Sequence, residues 1–455
     1  MPMKSQGTVS RREFCQLGAS AVVAMGLGER RVVAAKAPGV GDKLGIAVIG
    51  CGGRGSGNPL VALQERLVAM VDVDEGRIAD AMKKVEAKTD KGLAKVKVYH
   101  DYRRMYDECH KELDAVLIAT PDHHHAPAAI RAIQLGKSVF CEKPLTWCLY
   151  EARKLTAEAR RSKVATQMGN QGHSAEGYRL LCEYIWAGAI GTVVETHSLM
   201  SRNFGGQGGR PASQPVPAGL HWEEWLGPAR ARDYHPGLHP FRWRSWREFG
   251  TGTLGDMGCH VLDGVFWALR LSQAKKFTIE CVSQTPGSAE MFPQNNHIRW
   301  QFPPRGDMPA VTVNSYDFAW PAAVKELFEK LGEKAPNGGT LYVGTKGYMV
   351  TGVYGENPRI LPKEKHEATP KPPRQLPRSK HGMMGDFLAA CRGGEAASSN
   401  FDYAGPFTEF ILTGVVASHV GPGTSLEWDV ERLEFVNAPA ANRWVKRDYR
   451  KGWEV

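Results

Sequence analysis

Leu44-Gly45-Ile46-Ala47-Val48-Ile49-Gly50-Cys51-Gly52-Gly53-Arg54-Gly55 decides the fold of this chain. The apolar, β-branched run at its start reads as a buried parallel strand. It breaks into Gly50-x-Gly52-x-x-Gly55, with a helix expected to follow. In such a loop the first glycine permits the tight turn and the second lets backbone approach a pyrophosphate. The third lets helix pack on strand. The helix's free N–H groups and positive dipole end then face the phosphates. Glycine loops recur by chance, so context matters. A second strand, Leu67-Val68-Ala69-Met70-Val71, ends in Asp72, about 20 residues on, where a carboxylate can hold ribose hydroxyls. Gly50, Cys51, Gly52, Gly53, Arg54 and Gly55 are therefore read, with Asp72, as a dinucleotide site. The carboxylate would repel a 2′-phosphate, which favours NAD over NADP.

Outward from that stretch, strand and helix periods alternate. Helices are expected over 75–88 and 102–109, with a strand at 96–99 between them. A strand over 115–119 ends in Thr120-Pro121-Asp122-His123-His124-His125, and a helix over 127–135 follows. The strand 138–141 runs into Glu142-Lys143-Pro144; a helix over 151–161 and a strand over 164–168 complete the set. This is the signature of βαβ units and a parallel sheet. Ligands in such sheets sit beyond the carboxyl ends of strands. Thr120, Pro121, His123, Glu142 and Lys143 are thereby placed beside the dinucleotide. The polar loop Gly169-Asn170-Gln171-Gly172-His173 occupies another strand end, so Asn170 and His173 should line the same cleft. Three consecutive histidines invite a metal reading. In an extended segment, however, adjacent side chains point in opposite directions and cannot easily chelate one ion, and no metal ligand is assigned.

At 455 residues the chain exceeds what one core usually supports. From Thr192 the character changes to strand-like runs at 192–200, 276–283, 297–302, 310–318 and 340–350, separated by Pro/Gly turns. A largely antiparallel second sheet is expected. Between its first two strands lies an insertion, 201–249, with Trp222, Trp225, Tyr234, His235, His239, Trp243 and Trp246. It reads equally as a sugar-binding surface or as a loop packed by its own aromatics. Helices over 379–392 and 406–419 should return to the first domain, and the Lys/Pro-rich segment 363–380 reads as a connector.

Residues 1–37 read as targeting rather than fold. Ser10-Arg11-Arg12-Glu13-Phe14 precedes a mildly apolar stretch over 17–27 and an Ala35-Lys36-Ala37 cleavage site, the pattern of a twin-arginine export signal. A periplasmic or otherwise exported protein, passed through the twin-arginine machinery, is expected. The segment holds six Lys/Arg and two Glu, so the formal charge of +10 falls to +6 without it. That is mildly basic, with no cationic block and no nucleic-acid motif. No run of the mature part is long and apolar enough for a membrane anchor. Nine scattered cysteines without C-x-x-C pairs suggest neither zinc nor a disulfide framework.

The second informative stretch is Gly255-Asp256-Met257-Gly258-Cys259-His260-Val261-Leu262-Asp263. On a helix, Asp256 and His260 are i, i+4 and share a face. A carboxylate beside an imidazole raises its basicity and orients it, as a general base requires. Lys143 would stabilise an alkoxide from the other side. Asp263, two turns along from Asp256, joins Asn170 and His173 as a candidate substrate ligand.

Gly50–Gly55, Thr120-Pro121, Glu142-Lys143-Pro144 and Asp256-x-x-x-His260 resemble the glucose–fructose oxidoreductase / inositol dehydrogenase family (Gfo/Idh/MocA), over essentially the whole mature chain. The resemblance is closest to an exported bacterial branch. That branch is matched by Met168-Gly169-Asn170-Gln171-Gly172-His173, by Phe401-Asp402-Tyr403-Ala404-Gly405-Pro406 and by Glu427-Trp428-Asp429. It implies an α/β Rossmann dinucleotide-binding domain over 43–168. It also implies an α+β domain with a large, mostly antiparallel open sheet over 169–425, and a tail over 426–455 packing on the body. The sheet of such proteins often forms an oligomer interface, so a homo-oligomer is implied. Lys143, Asp256 and His260 match the family's usual catalytic set. The expected activity is nicotinamide-dependent oxidation of a sugar, cyclitol or related polyol with a tightly held cofactor. Two alternatives stand beside it: a redox-neutral NAD-dependent glycoside hydrolase or sugar epimerase, and a non-catalytic carbohydrate-binding protein.

Overall fold

The computed structural model describes residues 42–89, 95–206 and 208–455, and the expected export signal lies outside them. The first layer alternates strand and helix. It runs β1 (Gly45–Ile49), α1 (Asn58–Gln64), β2 (Arg66–Val71), α2 (Glu75–Glu86), β3 (Lys97–Tyr99), α3 (Tyr102–Cys109) and β4 (Ala115–Ile118). It continues through α4 (Asp122–Gln134), β5 (Ser138–Cys141), α5 (Leu149–Ser162) and β6 (Thr166–Met168). The strands form one parallel sheet in the order β3-β2-β1-β4-β5-β6. All five residues of β1 are buried, as strands covered on both faces require. The order reverses direction between β1 and β4, and a crevice opens at that switch point.

The second layer begins with α6 (Glu176–Trp186) and β7 (Val193–Leu199), followed by α7 (Trp222–Leu226), α8 (Gly252–Val261) and α9 (Asp263–Ala268). Next come β8 (Lys276–Gln284), β9 (Asn296–Phe302), β10 (Val311–Tyr316), α10 (Ala322–Lys330), β11 (Gly339–Gly344), β12 (Gly347–Thr351) and β13 (Arg359–Leu361). The chain ends through α11 (Lys363–Ala368), α12 (Gly382–Cys391), α13 (Phe401–Val420), β14 (Ser425–Asp429) and β15 (Glu434–Phe435). Nine strands form the sheet β13-β12-β11-β7-β10-β9-β8-β14-β15, antiparallel at every neighbour except β7–β10. The run expected as one strand over 340–350 is a hairpin, β11 and β12 turning at Thr345-Lys346. The segment expected as a tail also supplies β14 and β15, so it extends the sheet as well as packing on it.

Helix α13 is buried nearly all round, the mark of a core helix. It packs on β8 and β9 on one side and on α5 and β6 of the first layer on the other. Helix α12 also returns, with Phe387 against Phe140 of β5.

Two helices begin five residues before their expected starts, for one physical reason. The expected starts put Pro127 and Pro406 in the first turn, where proline is favoured. Each is instead the sixth residue of its helix. Proline there cannot donate to the carbonyl four residues back. In α13 that carbonyl belongs to exposed Asp402, where water can serve it. In α4 it belongs to His123, and buried Arg447 of the C-terminal segment donates to it through Nη2 at 2.5 Å.

The eight described cysteines are free and buried, and no helix among the described residues is long and apolar enough to cross a membrane.

Candidate active site

The chain leaves β1 through Gly50, whose φ of +88° suits glycine. A Cβ there would sit 2.5 Å from the Ala119 carbonyl oxygen, and one on Gly55 would sit 2.1 Å from that of Gly50. The loop therefore passes tightly against the end of β4. A short 3-10 turn, Gly53–Gly57, precedes α1, so the expected helix begins one turn late.

Gly50, Gly52, Gly53 and Arg54 line a cavity of about 570 Å³, within the span typical of ligand sites. Asp72, Thr120, Pro121, Glu142, Lys143, Asp256 and His260 line the same cavity. Cys51 and Gly55, also assigned to the cofactor, do not. The Cys51 amide donates to Asp72 Oδ2 at 2.7 Å, and Gly55 is spent on packing. Asp72 Oδ1 accepts the Asp74 amide at 3.0 Å. Burial raises the Asp72 carboxyl against these two backbone donors.

The three histidines lie on the first turns of α4, not in an extended segment. His123 is sealed away from the cavity, its Nε2 bonded to the Trp225 carbonyl at 2.9 Å. His124 lines the cavity instead. His125 is buried against the carbonyls of Pro144 and Thr120. His124 Nε2 meets the same Trp225 carbonyl at 2.8 Å, so two of the three rings converge on one backbone oxygen while His125 turns away.

Asn170, His173 and Asp263 require a second correction. They are 0%, 2% and 1% exposed and do not line the cavity. Asp263 Oδ2 accepts from Asn170 Nδ2 at 2.9 Å, while Oδ1 meets His173 Nδ1 at 2.9 Å and accepts from Tyr403 Oη at 2.5 Å. A buried carboxylate needs such donors. The cluster ties the loop after β6 to α9 and α13 behind the cavity wall, and Gln171 alone of this loop's polar side chains reaches the lining.

The reacting end is built from β5 and α8. Lys143 Nζ donates to the Asp256 carbonyl at 3.0 Å and lies 3.1 Å from Asp256 Oδ1. Arg244 Nε reaches the same carboxylate oxygen at 3.1 Å. The carboxylate expected to orient His260 is thus taken by two full cations, which outcompete a neutral imidazole. Burial alone would discharge Lys143, but Asp256 outweighs it and holds the amine charged. Burial would likewise protonate Asp256, and Lys143 and Arg244 reverse that. His260 is pushed down to about 3 by burial, with Lys143 adding to the shift, so its imidazole is neutral. Among the described residues its Nδ1 has no partner, nor have Glu142 Oε2 and Thr120 Oγ1. These orphaned polar atoms of cavity-lining residues, together with the bare glycine backbone, fit a polar dinucleotide and a hydroxylated substrate. Glu142 Oε1 meets Arg54 Nε at 2.8 Å. Asp122, pushed up to about 7 mainly by burial, accepts from the Thr251 hydroxyl at 2.7 Å.

The insertion resolves in favour of self-packing, with a working edge. Trp222, Trp225, Tyr234, Trp243, Trp246 and Phe249 bury one another in a separate small core. The edge of that core, with Trp225, His239, Phe241, Trp243 and Arg244, walls the cavity. The Arg244 guanidinium lies over Phe241 and Trp243, at 4.5 and 4.2 Å from their ring centres. Sequence reasoning named neither Arg244 nor Tyr354, Arg77 or Trp453, which also line the cavity. No spacing rule links them; the interleaving of arginine with tryptophan was the only available signal.

An oxidoreductase-family model for the NAD-binding Rossmann fold (Gfo/Idh/MocA) matches residues 44–170, and the model for that family's C-terminal α/β domain matches 190–297. Inositol 2-dehydrogenase 2 of Saccharopolyspora erythraea is 31% identical over 36% of this chain and 46% of its own length. A glycosyl hydrolase family 109 protein of Stenotrophomonas maltophilia is 35% identical over 30% of this chain and 29% of its own. The matched stretches thus span under half of these relatives. An NAD-binding protein from Listeria innocua shares the fold, with a TM-score of 0.56 at 16% identity over 85% of this chain and 100% of that one.

Proposed function

The chain belongs to the Gfo/Idh/MocA oxidoreductase family, and from that premise we propose that it is a nicotinamide-dependent oxidoreductase acting on a sugar, cyclitol or related polyol. One observation carries the reading. A single cavity is lined by Gly50, Gly52, Gly53 and Asp72 together with Lys143, Asp256 and His260. Asp72 and the glycine loop would hold the dinucleotide, with NAD preferred. The nicotinamide, when bound, supplies the hydride acceptor. His260, neutral and with Nδ1 open, would accept the hydrogen bond of the substrate hydroxyl and take its proton as hydride leaves, the bound substrate restoring the basicity that burial removes. Lys143, kept charged by Asp256, offsets the negative charge growing on that oxygen. Asp256 and Arg244 fix the ammonium in place.

We further place the protein outside the cytoplasm, exported folded through its twin-arginine signal and carrying its cofactor with it. Free NAD is scarce there, so a tightly held cofactor suits this location. The insertion's edge walls the cavity, which would slow cofactor release. Homo-oligomers would form through the open nine-stranded sheet. The similarity to a glycosyl hydrolase family 109 protein favours a second reading, a redox-neutral cycle in which the same residues oxidise a glycoside transiently. Native mass spectrometry for bound dinucleotide, followed by a panel of polyols and glycosides assayed with and without added NAD, tests both. Protein that neither carries nor binds a dinucleotide overturns both readings; glycoside cleavage without net NADH selects the second.

A further inference from the structure

We infer that Glu75, His100 and His221 form a divalent-cation site, suited to Zn²⁺, that clasps the insertion onto the first layer beside the cavity. The three donors come from three segments: the first residue of α2, the residue directly after β3, and the residue before α7. Their ligand atoms all lie within 4.8 Å of one another.

The tautomer of His100 is fixed for the purpose. Its Nδ1 lies 2.8 Å from the Asp72 carbonyl oxygen, which can only accept, so the proton sits on Nδ1. Nε2 is then the ring nitrogen left to meet an ion. A backbone carbonyl gripping the far nitrogen is the arrangement that orients metal-bound imidazoles. The backbones of the other two are pinned before any ion arrives. The His221 amide donates to the Val73 carbonyl at 2.8 Å, and the Glu75 amide to that of Gly219 at 2.9 Å. His221 Nε2 already lies 3.2 Å from Glu75 Oε1.

Zinc takes imidazole nitrogen and carboxylate oxygen at about 2.0–2.2 Å in a tetrahedron, which sets ligand atoms about 3.4 Å apart. The present spread closes to that by side-chain rotation, since Glu75 is exposed and both histidines are partly so. The rings of His100 and His221 stack at 3.8 Å. With His100 held by the Asp72 carbonyl, it is the half-buried His221 ring that turns out of the stack to meet the ion, and water completes the fourth position. Two imidazoles and a carboxylate suit zinc, with cobalt and nickel as weaker or stronger mimics according to the general affinity order.

An ion here would link α2 and the end of β3 to the insertion. His100 and Asp72 both line the cavity, so the clasp would resist opening on that side. This consequence rests on the dinucleotide reading; the metal site itself does not.

The test strips untagged full-length chain with chelator and titrates ZnCl₂ by calorimetry. One Zn²⁺ per chain is expected, with a Kd below about 10 µM. His221→Ala and, separately, Glu75→Gln should each weaken binding by more than about 100-fold, beyond the loss usual for an outer-shell partner, while circular dichroism stays unchanged. Chelation should also speed release of bound dinucleotide from wild type and not from His221→Ala. Binding weaker than about 10 µM, or unaffected by both substitutions, overturns the site, and release indifferent to chelation overturns the clasp. A chain that binds zinc as described but holds no dinucleotide supports the site and counts against the oxidoreductase reading instead.

Discussion

Lys143 Nζ lies 3.1 Å from Asp256 Oδ1, a contact between the end of β5 and helix α8 that joins the two layers of the molecule. Both groups are buried, and each holds the other charged. Arg244 shares the same oxygen, so loss of the lysine leaves Asp256 paired. Lys143→Ala should therefore fold and bind cofactor nearly as wild type. It should lose about 10²–10³-fold in hydride transfer, the scale for removing one electrostatic stabiliser. Single-turnover absorbance at the nicotinamide band measures this. Unchanged turnover would remove Lys143 from the mechanism.

His260 provides a pH signature. Burial, then Lys143, push its imidazole down to about 3. The base is thus already deprotonated well below the ordinary histidine range. The kcat/KM profile, which reports the free enzyme's groups, should show no His260 limb between pH 8 and pH 5, any limb near pH 7 belonging to Asp122. An acid limb near 6.5 attributable to His260, absent in His260→Ala, would contradict the burial argument.

Asp317 tests the same physics away from the site. Burial pushes its carboxyl up to about 7, against bonds from the Asn296 side chain and backbone. A folded pKa above the unfolded 3.8 means that the folded state binds the extra proton. Stability is then undiminished below pH 4, falls as pH rises from 4 to 7, and stays reduced above. Asp317→Asn keeps the side-chain acceptor and removes the charge. It should gain roughly 1–4 kcal/mol over wild type at pH 8 and almost nothing at pH 4. Urea titrations at the two pH values give the difference; an equal gain at both would exclude the titration.

Arg447 is buried with Glu151, Nη2 to Oε1 at 2.7 Å, and also caps the His123 carbonyl that Pro127 frees. Arg447→Met leaves Glu151 charged and the carbonyl unserved, and should cost about 3–5 kcal/mol. Adding Glu151→Gln should return part of that. A loss under about 1 kcal/mol would place the arginine among ordinary surface ion pairs.

What could be read from the sequence was what is local. Strands β1, β2, β4 and β5 were legible as short apolar runs with punctuation on both sides, and β3 (Lys97-Val98-Tyr99) and β6 (Thr166-Gln167-Met168) from their place in the strand–helix alternation. Lys143 was legible because it follows a strand directly. The starts of α4 and α13 were misread because proline's usual first-turn position and its sixth-residue position look alike without the partner, Arg447 or solvent, that makes the latter tolerable. Asn170, His173 and Asp263 look like a polar cleft loop, and only their mutual distances show a sealed network. Arg244, Tyr354 and Trp453 come from three distant segments. The zinc ligands proposed above are separated by 25 and 121 residues, far from any ligand spacing a motif would reveal.

Asp72 governs which dinucleotide is taken, and its surroundings make the outcome of changing it specific. The carboxylate lines the cavity and accepts amides from Cys51 and Asp74, so it also holds the glycine loop against β2. Arg77 lines the same region and lies over Gly52, with its Nε 3.9 Å from Asp74 Oδ2. A 2′-phosphate entering here meets the Asp72 charge first. At an effective dielectric constant near 20, two unit like charges about 4 Å apart repel by about 4 kcal/mol. Asp72→Asn keeps an oxygen for one of the two amides and removes the repulsion, leaving Arg77 to pair with the phosphate. Screening and water reduce the effect, so the NADP-to-NAD affinity ratio should rise about 10- to 100-fold, equal to about 1.4–2.8 kcal/mol. NAD itself should bind several-fold more weakly, because its ribose loses a charged acceptor. Fluorescence titration of both cofactors on wild type and variant measures the ratio. A wild-type preference for NADP, or a ratio indifferent to the substitution, would show that Asp72 holds the loop and does not read the ribose.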